Sequence, residues 1–96
     1  MTKAEIVAAI AKKTGVEKAS IAVSIEAFMS VLKESLTKGE AVYLRGFGSF
    51  IIKKRAAKTG RNISKNTTIK IPAHSVPSFK PSKLFMAEIK EKVKVN

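Results

Sequence analysis

Ninety-six residues at 10.4 kDa predict one small domain, spanning 1–96, with a single modest core. An apolar content of 45% argues against wholesale disorder, and no apolar run approaches the roughly 18–20 residues of a membrane span. The absence of Cys excludes a disulfide framework, a zinc finger and a thiol nucleophile. Nineteen Lys+Arg against seven acids, all Glu, leave a net charge of +12.

That charge is segregated. Met1 to Glu40 carry six Lys and five Glu, and Glu88 to Asn96 carry three Lys and two Glu. Between them, 41–87 hold Arg45, Lys53, Lys54, Arg55, Lys58, Arg61, Lys65, Lys70, Lys80 and Lys83 without a single acid. A nearly neutral scaffold bearing a strongly basic stretch is the electrostatic footprint of a nucleic-acid binder. The N-terminus alternates charge with small residues and has no apolar signal core, so the expected location is a reducing cytoplasm.

In chain order, 1–40 read as a base of two helices. Thr2-Lys3-Ala4-Glu5 has the form of a capping box, Ile6, Val7 and Ile10 follow at helical spacing, and Gly15 stops the pattern. A longer helix starts near Glu17 or Lys18 and runs to Gly39, with Ile21, Ile25, Phe28, Leu32 and Leu36 on one face. Ala22, Val23, Ala27, Met29 and Val31 widen its apolar surface beyond what the short first helix can cover. Wide coverage predicts a symmetric partner.

The period then changes, and 41–81 read as strands. Ala41 to Leu44 is short and β-prone, and Arg45-Gly46-Phe47-Gly48-Ser49-Phe50-Ile51-Ile52 follows, with glycines where the backbone bends or is closely approached. Lys53 to Lys58 continues the strand with little to bury, 59–66 is turn-rich, and Thr67 to Ile71 returns to end at Pro72. Such a hairpin, about 54–70, has nothing to pack on a core and is expected to project into solvent. Val76 to Lys80 reads as one more strand. A final helix within 82–96 carries Leu84, Phe85, Ile89 and Val93 at helical spacing.

Several short motifs carry no chemistry. Asn62-Ile63-Ser64 and Asn66-Thr67-Thr68 match a glycosylation acceptor but lack a secretory context. His74 stands alone and builds neither a metal site nor an acid/base pair. Gly46-Phe47-Gly48 lacks the third glycine of a dinucleotide fingerprint. No catalytic constellation is present, so the expectation is a non-enzyme with no cofactor, no metal and no small-molecule substrate.

Arg45-Gly46-Phe47-Gly48-Ser49-Phe50, Arg55-Ala56-Ala57, Gly60-Arg61-Asn62, Ile69-Lys70-Ile71-Pro72-Ala73, Val76-Pro77 and Phe79-Lys80-Pro81 with Lys83 occur in one order along the chain. This set resembles the bacterial HU/integration host factor family of DNA-bending proteins over essentially the whole length. The resemblance implies an α+β fold in an intertwined dimer: a two-helix base, an antiparallel β saddle with a long β-ribbon arm, and a short C-terminal helix. It implies a homodimer, or a heterodimer with a paralogue. DNA would be held by Arg45, Lys53, Arg55, Lys58, Arg61, Asn62, Ile63, Lys65 and Lys70 on arm and saddle, and by Lys3, Lys80 and Lys83 near helix starts. Phe47, Phe50 and Phe79, with Phe28 and Leu32, are expected in the dimer core rather than stacked on bases.

The arm tip and Arg45 depart from the usual HU pattern. Ile63 stands where the arm tip usually carries Pro, and Lys65-Asn66 where Thr-Gly is usual. Ile63 keeps the apolar character of an intercalating wedge, the mode known for architectural proteins that include this family. Arg45 is a feature of the integration host factor branch, but weakly specific, HU-like behaviour is expected. The implied function is that of a histone-like, nucleoid-associated protein of the bacterial cytoplasm. It would bind double-stranded DNA through the minor groove, bend and compact it, and favour prebent, nicked or gapped forms. The alternative is a basic RNA-binding or ribosome-associated structural protein, although an RNA platform would place aromatics among the basic residues of the arm. A membrane-surface binder would need its cations on an amphipathic helix, and here they lie in β segments.

Overall fold

The computed structural model describes residues 1–62 and 67–95, with side chains described outside 59–69. It is an α+β chain of three helices and antiparallel strands, dividing into two compact units, Met1–Glu34 and Ser35–Asn96.

The first unit holds helix α1 (Lys3–Thr14) and most of helix α2 (Lys18–Thr37). Thr2 caps α1 by accepting a hydrogen bond from the Glu5 N–H at 3.2 Å. Gly15, at φ 78°, ends it by donating its N–H to the Ala11 carbonyl at 2.8 Å, a left-handed cap that a β-carbon would strain. Among the described residues only Val7 and Ile21 are buried hydrophobics. Ile10, Val16, Ile25 and Phe28 line an open groove beside Ile21. The wide apolar surface of α2 is left largely in solvent: Val23 is 69% exposed and Val31 64%.

The second unit begins where α2 closes. The Glu40 N–H reaches the Ser35 carbonyl and the Gly39 N–H the Leu36 carbonyl, the paired bonds of a Schellman cap. Strand β1 (Val42–Leu44) pairs with β2 (Gly48–Arg55), and β2 pairs with β5 (His74–Pro81), all antiparallel, in the order β1-β2-β5. Pro77 is tolerated because β5 is an edge strand. Beyond it, β3 (Lys58–Asn62) and β4 (Thr67–Ile71) form a two-stranded sheet. Helix α3 (Lys83–Lys92) completes the unit.

The sequence predicts a strand continuing through Lys58, whereas the structure interrupts it at 56–57 and, across the ribbon, at 72–73. Pro72 has no N–H to offer the position opposite, so the ladder lapses there. The register does not slip. Arg55 faces His74 before the gap and Lys58 faces Ile71 after it, so two residues are spent on each side. The strands on both sides of the gap therefore share one pairing offset from Gly48↔Pro81 to Asn62↔Thr67.

Candidate nucleic-acid interface

Strand side chains alternate between sheet faces, and directly paired residues share one. With Val42↔Phe50, Tyr43↔Ser49, Phe50↔Phe79 and Ser49↔Lys80 as partners, the three-stranded sheet has two unlike faces. One carries Val42, Leu44, Phe50, Ile52, Pro77 and Phe79. The other carries Tyr43, Ser49, Ile51, Lys53 and Arg55, with His74, Val76, Ser78 and Lys80 across from them.

The apolar face is organised by aromatic rings. Phe79 lies 5.0 Å from both Phe47 and Phe50, and Phe85 of α3 stacks on Phe47 at 5.3 Å. Phe47, Phe50 and Phe79 thus meet as one cluster, with Phe85 as a member that helical spacing alone did not assign to it. The cluster is incompletely covered: Phe47 remains 45% exposed and Phe79 36%. Phe28, 47% exposed, and half-buried Leu32 belong to the first unit.

The other face is basic and lacks any carboxylate. Lys53, Arg55 and Lys80 are exposed on it, and the alternation sends Lys54 to the opposite side, a distinction that composition cannot make. His74, opposite Arg55, has Nδ1 3.1 Å from the Pro72 carbonyl oxygen.

At one end of this face a tight turn presents Arg45. The Phe47 N–H donates to the Leu44 carbonyl at 3.0 Å, and Gly46 takes φ 80°, the position that a type II turn reserves for glycine. Ser82 pins that turn to α3. Its hydroxyl donates to the Gly46 carbonyl at 3.0 Å and accepts from the Phe85 N–H at 3.1 Å, capping the helix. Its own N–H bonds the Phe47 carbonyl at 2.9 Å. Gly48 is buried beneath, where a β-carbon would come within 2.6 Å of the Lys80 carbonyl oxygen and 2.7 Å of the Phe79 ring. These contacts gather Arg45, Lys80 and Lys83 around one groove with Tyr43 and Ser49.

Farther along, Lys58 and Lys70 are exposed and line a second groove with Ala57, Ile71 and Pro72. Arg61 and Asn62 lie in β3, paired along the backbone with Thr68 and Thr67. Ile63 and Lys65 lie outside the described residues. Lys3, in the first unit, is held in an exposed ion pair with Glu26. The structure therefore brings Lys53, Arg55 and Lys80 to one face and Arg45, Lys80 and Lys83 to one groove. Lys3 is placed separately. Tyr43 and Ser82 carried no functional signal in the sequence beyond the β alternation of Val42-Tyr43-Leu44 and the Ser before the last helix.

A sheet with one aromatic and one acid-free basic face, continued into a two-stranded basic ribbon, defines a protein that grips a polyanion with β structure. The family model described as "Bacterial DNA-binding protein" matches residues 1–90. The DNA-binding protein HU of Thermotoga maritima is 42% identical over 94 residues, covering 98% of this chain and all of that protein. The integration host factor subunit beta of Marinobacter nauticus is 36% identical over 95 residues, 98% of this chain and 97% of that one. Among solved structures, HU in an Anabaena HU–DNA cocrystal superposes with a TM-score of 0.89 at 38% identity, over 94% of this chain and 98% of that chain. The chain belongs to the HU/integration host factor family of histone-like bacterial DNA-binding proteins.

Proposed function

We propose that this chain, as a dimer, binds double-stranded DNA with low sequence specificity, bends it, and helps to compact the nucleoid. The observation that carries the reading is the face bearing Lys53, Arg55 and Lys80, exposed and free of carboxylates. Cations on it neutralise phosphates, which supplies affinity but no sequence information. The ribbon bearing Lys58, Arg61, Asn62 and Lys70 reaches the minor groove, whose pattern separates little beyond A·T from G·C. Ile63 is the proposed wedge, unstacking one base step at a cost of about a few kcal/mol, as known for architectural proteins of this kind.

Dimerisation is supported by the apolar surface left uncovered, Phe28, Phe47, Phe79, Val23 and Val31 among it. Each such side chain gains about 1.5–3 kcal/mol on full burial, so association recovers what one chain leaves in water. A homodimer suffices, and a paralogue with the same face can take the second place. Lys3 joins the DNA contacts by exchanging Glu26 for a phosphate, a low-cost exchange because an exposed pair contributes about 0–1 kcal/mol.

A gel-shift series on linear duplex, nicked or gapped duplex and double-stranded RNA tests the reading. Preference for nicked or gapped DNA is expected, because part of the deformation is already made. Tighter binding to double-stranded RNA would favour an RNA-packaging protein instead. In a fluorescence end-to-end assay Ile63→Ser should bend DNA less than the parent, and equal bending would remove the wedge.

A further inference from the structure

Charge alone nominates the cations of the basic face. Tyr43 is a different case. Val42 and Leu44 turn to the apolar face, while Tyr43 between them points to the basic one and is 76% exposed. A ring held in water on a strand gains nothing from folding, although an aromatic of this size is among the side chains that gain most from contact. It heads the cross-strand row Tyr43–Ser49–Lys80, and its groove also takes in Arg45 and Lys83. Three cations with no acid anywhere in 41–87 leave a polyanion as the complementary occupant. The phenol suits a duplex surface, since its ring packs on a deoxyribose edge while its hydroxyl donates to a phosphate oxygen.

We infer that Tyr43 is a DNA-contacting residue, lying against the sugar–phosphate edge of the duplex where it passes the flank of the sheet, with Arg45, Lys80 and Lys83 on neighbouring phosphates. This rests on the DNA-binding reading above and deepens it: affinity at the flank comes partly from an uncharged aromatic. Ser82, by pinning the Arg45 turn, positions the groove without itself touching DNA.

Tyr43 is the only tyrosine of the chain, so nitration by tetranitromethane reports on it alone, read by mass. A duplex of about three helical turns, long enough to reach both flanks, should protect it, and one of about one turn should not. Tyr43→Ala should lower affinity for the long duplex about fivefold, leave the short duplex unchanged, and leave the salt slope unchanged because no charge is removed. Tyr43→Phe should fall between the two. Equal nitration with and without the long duplex, or parental affinity in Tyr43→Ala, overturns the inference while the parent still binds. Failure of the parent to bind either duplex would instead sink the DNA-binding reading itself. A concentration-dependent loss of thermal stability in Tyr43→Ala would place the ring at the subunit interface and also overturn it.

Discussion

Gly48 and Ser82 show how single residues set the packing of the sheet and of the Arg45 turn. At Gly48 the obstacle to a side chain is the Lys80 backbone oxygen, 2.6 Å from where a β-carbon would sit, and a paired strand cannot retreat cheaply. Gly48→Ala should therefore destabilise by about 1–3 kcal/mol in urea unfolding, as overpacking does, despite removing the flexibility of a glycine. Ser82 makes two hydroxyl bonds, one to the helix and one to the Gly46 carbonyl. Ser82→Ala should cost about 1–2 kcal/mol and lower Tm by several degrees. It should also weaken binding to long duplexes, because Arg45 loses its fixed turn. Ser82→Thr should restore both.

The ribbon is the element that the proposed minor-groove contact rests on, and its pairing runs in one register with the inner sheet. Pairing keeps one offset across the lapse at 56–57 and 72–73, so no residue is inserted and the face alternation is preserved. Phe50 and Phe79 meet at 5.0 Å in the inner part, whereas Lys58 and Lys70, just beyond the lapse, are exposed. Amide exchange should consequently be slow at 49–53 and 76–80 and fast at 58–62 and 67–71, slowing in the outer group when DNA is added. Strong protection of the outer group without DNA would mean that the ribbon packs on something else.

For the whole molecule two measurements matter, one electrostatic and one hydrophobic. If six to ten phosphates are neutralised, log K against log salt should slope at roughly −5 to −9 on B-DNA. Replacing Lys80 and Lys83 by Ala should flatten that slope, by roughly one for each phosphate that is no longer neutralised. The apolar surface left in solvent predicts a Tm that rises with protein concentration, because stability and dimerisation are linked. Phe79→Ala, which removes the ring shared by Phe47 and Phe50, should cost about 3–5 kcal/mol and move the dimer transition to higher concentration.

Much of this was legible in the chain because it depends on local chemistry. The cap at Thr2 and the stops at Gly15 and Gly39 act through backbone bonds a few residues apart, and the change of period after Glu40 is written in side-chain type, so both are set locally. The acid-free stretch 41–87 is likewise a matter of composition. Which cations share a face is not, because a strand's two sides are equivalent until partners and register are chosen. Pairing through Ser49↔Lys80 and Phe50↔Phe79 is what separates Lys53 and Arg55 from Lys54. The same choice put Tyr43 on the face of the cations, and the docking of α3 through Ser82 brought Phe85 to the rings. The lapse opposite Pro72 also waited on register, since a missing N–H matters only once the position facing it is known.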